Sequence, residues 1–132
     1  MMKGKVFMTT QINPSPTIAE KAGADIEDVR GLLLKYDDNG AVVPAAAGEK
    51  VIGIGIITNS ENLKTGDTVD IQVKEMGLVL AGAEFKKGVD LAADADGKAV
   101  EAAEGNYVIG TALQAATAAG ELVKVQICKY KA

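Results

Sequence analysis

The carboxylates at Asp37 and Asp38, and at Asp94 and Asp96, are spaced closely enough to do chemistry. Paired acids can share general acid and base roles, and clustered carboxylate oxygens can hold calcium. Their setting points elsewhere. Asp37-Asp38-Asn39-Gly40 and Asp94-Ala95-Asp96-Gly97 each lie between apolar runs. There Asp caps local backbone N–H groups, and Asn-Gly or Asp-Gly supplies the positive φ that a tight hairpin needs. A turn role for Asp37, Asn39, Gly40, Asp94, Asp96 and Gly97 therefore outweighs a catalytic one. A helix-flanked calcium loop is also excluded, because Ala92 stands where a ligand two positions before Asp94 is required and no closing Glu completes the set.

Other catalytic equipment is scarce. The chain has no His, which removes the commonest general base, the Ser-His and Cys-His pairings and the usual zinc ligand. Gly53 and Gly55 lack the third glycine and the following helix of a nucleotide fingerprint. Lys74-Glu75-Met76-Gly77 lacks the Met-Lys-Met core of a biotin carrier. The reading is of a protein that is not an enzyme and takes no cofactor or metal, one that works by presenting surface.

The elements that carry these turns are written twice. At an offset of 57, residues 31–59 fall on 88–116 with eleven coincidences, among them Asp37/Asp94, Gly40/Gly97 and Val51-Ile52-Gly53 on Val108-Ile109-Gly110. Outside that window, Ala22-Gly23-Ala24 echoes Ala81-Gly82-Ala83, and GDTVDIQV (66–73) echoes GELVKVQI (120–127). Two similar units are expected, about residues 22–73 and 81–127. Val69, Ile71 and Val73 alternate with polar residues, as do Val123, Val125 and Ile127, which is the period of a half-buried strand. Val51 to Ile57 is β-branched and short, and its glycines mark a bulge, a bend or close backbone approach. No stretch sustains a 3.6-residue apolar period. The expected fold is all-β: a small barrel or tulip-like structure of eight to ten short strands, with at most short helical turns.

At 132 residues, residues 22–132 suit a single β domain, preceded by an extended N-terminal arm over 1–21. Pro14 and Pro16 forbid both a helix and a central strand there. The arm is either a frayed terminus or a segment that orders against a partner. The net charge of −4 and the lack of a Lys/Arg cluster argue against nucleic acid. Lys124, Lys129 and Lys131 read as a solvated strand edge rather than a binding patch. Cys128, the only cysteine, excludes an internal disulfide and reads as a buried, inert thiol. No apolar run is long enough for a signal peptide or a membrane span, so no membrane partner is expected, and a soluble protein made in a cytoplasm is.

The second unit, GVDLAADADGKAVEAAEGNYVIGTALQAATAAGELVKVQI (88–127), resembles the C-terminal part of phage head decoration proteins, also called capsid cement proteins. The shared order is a strand, an Asp/Asn-Gly turn, an Ala-Gly stretch, a Val-Ile-Gly-x-Ala-Leu strand and a terminal Gly-Glu-Leu strand. The resemblance extends over roughly residues 22–128. It implies a structural protein on the outer surface of a phage capsid, made in the host cytoplasm and carried on the virion, which stabilises the shell by bridging major capsid protein subunits. It also implies a homotrimer, and a capsid-contact arm here formed by Met8, Thr9, Thr10, Gln11, Ile12, Asn13, Pro14, Ser15, Pro16 and Thr17. The competing reading is a β-barrel binding module for a carbohydrate or small ligand. That reading is weakened by the absence of Trp, with only Tyr36, Tyr107 and Tyr130 to offer a sugar platform.

Overall fold

The computed structural model describes residues 15–56 and 62–132. Among them it contains ten strands and no helix, so the all-β expectation holds. The first five are β1 (Thr17–Lys21), β2 (Leu33–Tyr36), β3 (Val42–Pro44), β4 (Gly53–Gly55) and β5 (Thr68–Gln72). The second five are β6 (Met76–Leu80), β7 (Asp90–Ala93), β8 (Ala99–Glu101), β9 (Tyr107–Ala112) and β10 (Leu122–Lys131). Each set forms one antiparallel sheet, in the orders β1-β5-β4-β2-β3 and β6-β10-β9-β7-β8. Adding five to every label of the first order gives the second.

The correspondence reaches individual hydrogen bonds. Asp37 N donates to Ala41 O at 2.8 Å, and Asp94 N donates to Lys98 O at 2.7 Å. Gly66 N reaches Ala22 O and Gly120 N reaches Ala81 O, both at 2.8 Å. Both sheets curl until their outer strands meet, at the parallel bridges Ala22↔Val42 and Ala81↔Ala99. Each unit is thus a small, nearly closed barrel, a shape that leaves little free sheet edge.

Burial explains the composition of the central strands. Leu33 and Leu34 are adjacent in β2 and both fully buried, so this strand has no solvent face. Leu34 packs in the first unit's core with Val42, Val69 and Ile71. Leu33 points the other way, into a core shared with Leu91, Ile109 and Val125 of the second unit. β4 likewise reads buried at all three residues, and β7 buries Leu91, Ala92 and Ala93 in succession. Strands covered on both faces lose the polar half of their alternation, so these segments read as unbroken apolar runs. The two units therefore share a core in which Leu33 of β2 and Ile54 of β4 join side chains of β6, β7, β9 and β10. Backbone bonds also cross the boundary: Leu33 N to Gly97 O at 2.7 Å, Leu80 N to Gly31 O at 2.9 Å and Gly48 N to Ala93 O at 3.0 Å.

The Val-Ile-Gly endings have a steric reason. A Cβ added at Gly110 would sit 1.9 Å from Gln126 O, and one at Gly53 would sit 2.4 Å from Gln72 O. The neighbouring strand's backbone occupies the space that a side chain would need.

Two details differ from the sequence reading. Thr17–Lys21, placed at the end of the arm, forms β1 and pairs with β5 over all five residues. Its outer position explains the missing apolar signal: four of its five residues are exposed. Cys128 is exposed rather than buried. Val123 and Val125 point inward, so Cys128 takes the outward parity of the same strand.

Candidate functional site

The residues singled out in the sequence fall into separate places. Asp37 Oδ1 accepts the N–H groups of Asn39 at 2.8 Å and Ala41 at 3.0 Å. Asp94 Oδ1 accepts those of Asp96 at 2.8 Å and Lys98 at 2.9 Å. Gly40 and Gly97 hold φ of 80° and 79° at the same point of each hairpin, the left-handed conformation that glycine adopts without steric cost. These carboxylates are engaged with their own turns. Among the described residues, no group of three or more His, Cys, Asp or Glu side chains is arranged to hold a metal ion.

Of the arm, Met8 through Pro14 lie outside the described residues. Ser15 Oγ accepts from Thr17 N at 3.2 Å, and Pro16 O accepts from Val73 N at 2.7 Å, which ties the start of β1 to the end of β5.

The feature that sequence reasoning missed is the outer face of β6 and β10. The register pairs Met76 with Gln126, Leu78 with Lys124 and Leu80 with Leu122. With a period of two these six side chains share one face, opposite the buried Val79, Val123 and Val125. Met76 is 62% exposed, Leu78 48% and Leu122 45%. The same positions in the first unit pair Thr17 with Gln72, Ala19 with Asp70 and Lys21 with Thr68. One unit turns a polar face to solvent, and the other an apolar one.

The apolar face continues into a groove of about 560 Å³ between the units. Met76, Leu78 and Leu122 line one side, and Gly31, Gly55 and Ile56 belong to the other. Among the described residues, Arg30, joined to Asp28 at 2.5 Å, and Lys124 supply its charged lining. Exposed apolar side chains gathered beside a groove, rather than scattered, are the mark of an interaction surface. The signal was present in Met76-Gly77-Leu78-Val79-Leu80, an apolar run without polar alternation on a strand with only one buried face.

Comparison with known proteins bears on what such a surface serves. No curated protein matches the sequence. Among solved structures, the chain is similar to one described as the crystal structure of the head fiber gp8.5 N base in bacteriophage phi29. The two are 23% identical with a TM-score of 0.65, over 88% of this chain and 96% of that one, a likeness of fold. The family model described as phage cement protein matches residues 38–127, which takes in β3 through most of β10 and both Asp-Gly or Asn-Gly turn glycines. By that match the chain belongs to the phage cement protein family.

Proposed function

We propose that this protein is a structural, non-enzymatic component of a phage virion that binds the outer surface of the capsid and stabilises it by bridging major capsid protein subunits. The observation that carries the reading is the β6/β10 face. Three exposed apolar side chains stand where the first unit places Thr17, Ala19 and Thr68. An acidic chain of net charge −4 suits a position outside the shell, away from the packaged nucleic acid. The protein is made in the host cytoplasm and acts as a homotrimer, so that several modest contacts on a symmetric lattice combine through effective concentration. The segment Met8–Thr17 supplies a further capsid contact, since its end at Pro16 is fixed beside Val73, next to the β6/β10 face in the chain.

The test is attachment to undecorated capsids of the parent phage. Stoichiometric binding and a raised capsid disruption temperature are expected, with a solution mass of three chains for the free protein. Binding that survives the double change Met76→Asp and Leu78→Asp would remove the face from the proposal, and no binding by the unaltered chain would end it. Deleting residues 1–14 should weaken attachment without unfolding the protein.

A further inference from the structure

β10 continues past Ile127 to Lys131, whereas its counterpart β5 ends at Gln72. Along this extension the pairing with β9 slips: Ile127 faces Gly110, yet Tyr130 faces Val108, so one extra residue is accommodated on β10. Such a bulge redirects side chains. Lys129 reaches over the unit boundary and donates from Nζ to Ile52 O at 2.7 Å. Lys131 lies across from Tyr107, its ammonium 5.4 Å from the ring centroid, within cation–π range. Lys50, which the offset of 57 sets against Tyr107, lines the same cleft from the first unit. The cleft measures about 250 Å³, with Val51 and Val108 as its buried apolar floor and Tyr130 at its side.

Three ammonium groups thus meet at one cleft of an acidic protein. Among the described residues no ion pair joins Lys50, Lys129 or Lys131 to a carboxylate. The neighbouring acid, Asp90, is engaged by the Tyr130 hydroxyl and by Thr111 Oγ1. Partial burial, and then repulsion from Lys50, hold Lys129 below the ordinary lysine range. Like charges gathered in this way repel one another, and an anion seated between them relieves that repulsion.

We propose that the cleft is a binding site for a carboxylate-rich peptide segment, whose Asp or Glu side chains pair with Lys50, Lys129 and Lys131 while their stems pack on Tyr107 and Tyr130. A long polyanion such as nucleic acid fits less well, because among the described residues three lysines line the cleft, too few for a phosphate backbone that would run past them over an acidic protein. The narrow apolar floor suits one or two aliphatic stems. The site lies apart from the β6/β10 face and does not depend on where a capsid holds the protein.

The experiment is a titration of the 15N-labelled protein with hexaglutamate, followed by amide chemical shifts. Saturable shifts are expected at residues 50–52, 107–108 and 129–131, weakening as salt rises from about 50 to about 200 mM. The pair Lys50→Gln and Lys131→Gln should lower affinity roughly five- to tenfold and leave the rest of the spectrum in place. The pair Lys86→Gln and Lys87→Gln, on an exposed turn elsewhere, should leave affinity unchanged. The proposal is overturned if hexaglutamate gives no saturable shift, or if the shifts centre on other lysines. Equal binding of hexaglutamine, of a glucuronate oligomer or of a hexathymidylate would also overturn it.

Discussion

The first and second units trace the same path, close their sheets at the same bridges and cap the same turns, yet they present different surfaces. Thr17, Ala19 and Lys21 on β1 become Met76, Leu78 and Leu80 on β6, while Thr68 and Asp70 on β5 become Leu122 and Lys124 on β10. A sheet needs only one apolar face to build its core. The other face is free to vary, and here three of its positions, at Met76, Leu78 and Leu122, carry solvent-exposed apolar side chains in the second unit alone. The repeated positions specify the fold, and the positions that differ are where attachment to something else can be written.

That comparison breaks first at the glycines. Gly110→Ala drives a methyl group into Gln126 O from 1.9 Å and should cost about 3 kcal/mol or more. Gly53→Ala meets Gln72 O at 2.4 Å and should cost less, about 2 kcal/mol. Urea unfolding of the two variants measures both, and a larger loss at Gly53 would mean that the units differ in strand spacing. Next come the outer faces. Met76→Asp with Leu78→Asp should abolish capsid attachment while changing stability by less than about 1 kcal/mol, and Ala19→Asp, at the place equivalent to Leu78, should leave attachment unchanged. If Ala19→Asp impairs attachment as much, the polar face is also in use. The turns give a smaller effect: Asp37→Ala and Asp94→Ala each remove the acceptor for two backbone N–H groups and should each cost about 1 kcal/mol. Unequal costs would show that the two hairpins carry different loads.

Much of this fold was legible because its signals are local or repeated. The Asn39-Gly40 and Asp96-Gly97 pairs and the alternation of Val69, Ile71, Val123 and Val125 each fix a strand or its turn without reference to the rest of the chain. β1 was not legible, since Thr17–Lys21 is mostly exposed and earns its place through backbone pairing with β5, which leaves no trace in side-chain pattern. The apolar face was missed for the opposite reason. An apolar strand is ordinarily a buried one, and only the register shows that Met76, Leu78 and Leu122 fall on the side away from the core. The lysine cleft depends on a bulge and on a contact 77 residues apart in sequence, between Lys129 and Ile52. The offset of 57 sets Lys50 against Tyr107, but nothing in the sequence says that the two line one cleft.

The smallest expected difference between the units is electrostatic. Among the described residues, four carboxyls are held below their ordinary values: Asp25 mainly by the Thr65 N–H, Asp28 by the Arg30 side chain, Glu49 by Lys35, and Glu121 by the Thr117 hydroxyl. A carboxyl whose value falls on folding favours the folded state when ionised, so its contribution is complete above the unfolded value, 3.8 for Asp and 4.5 for Glu, and disappears as pH falls through the lower folded value. Three of the four lie in the first unit. Because all four are substantially solvated, each effect is small, and the shared core that joins Leu33 to Leu91 and Ile109 keeps global unfolding common to both units. The difference should therefore show in local opening rather than in the melting temperature. As pH is lowered from about 6 toward about 3, amide protection should decline further in residues 17–56 and 62–72 than in 76–131, after correction for the intrinsic pH dependence of exchange. An equal decline would mean that Glu121 carries as much as the other three together, and a larger decline in the second unit would reverse the assignment of the acid-sensitive half.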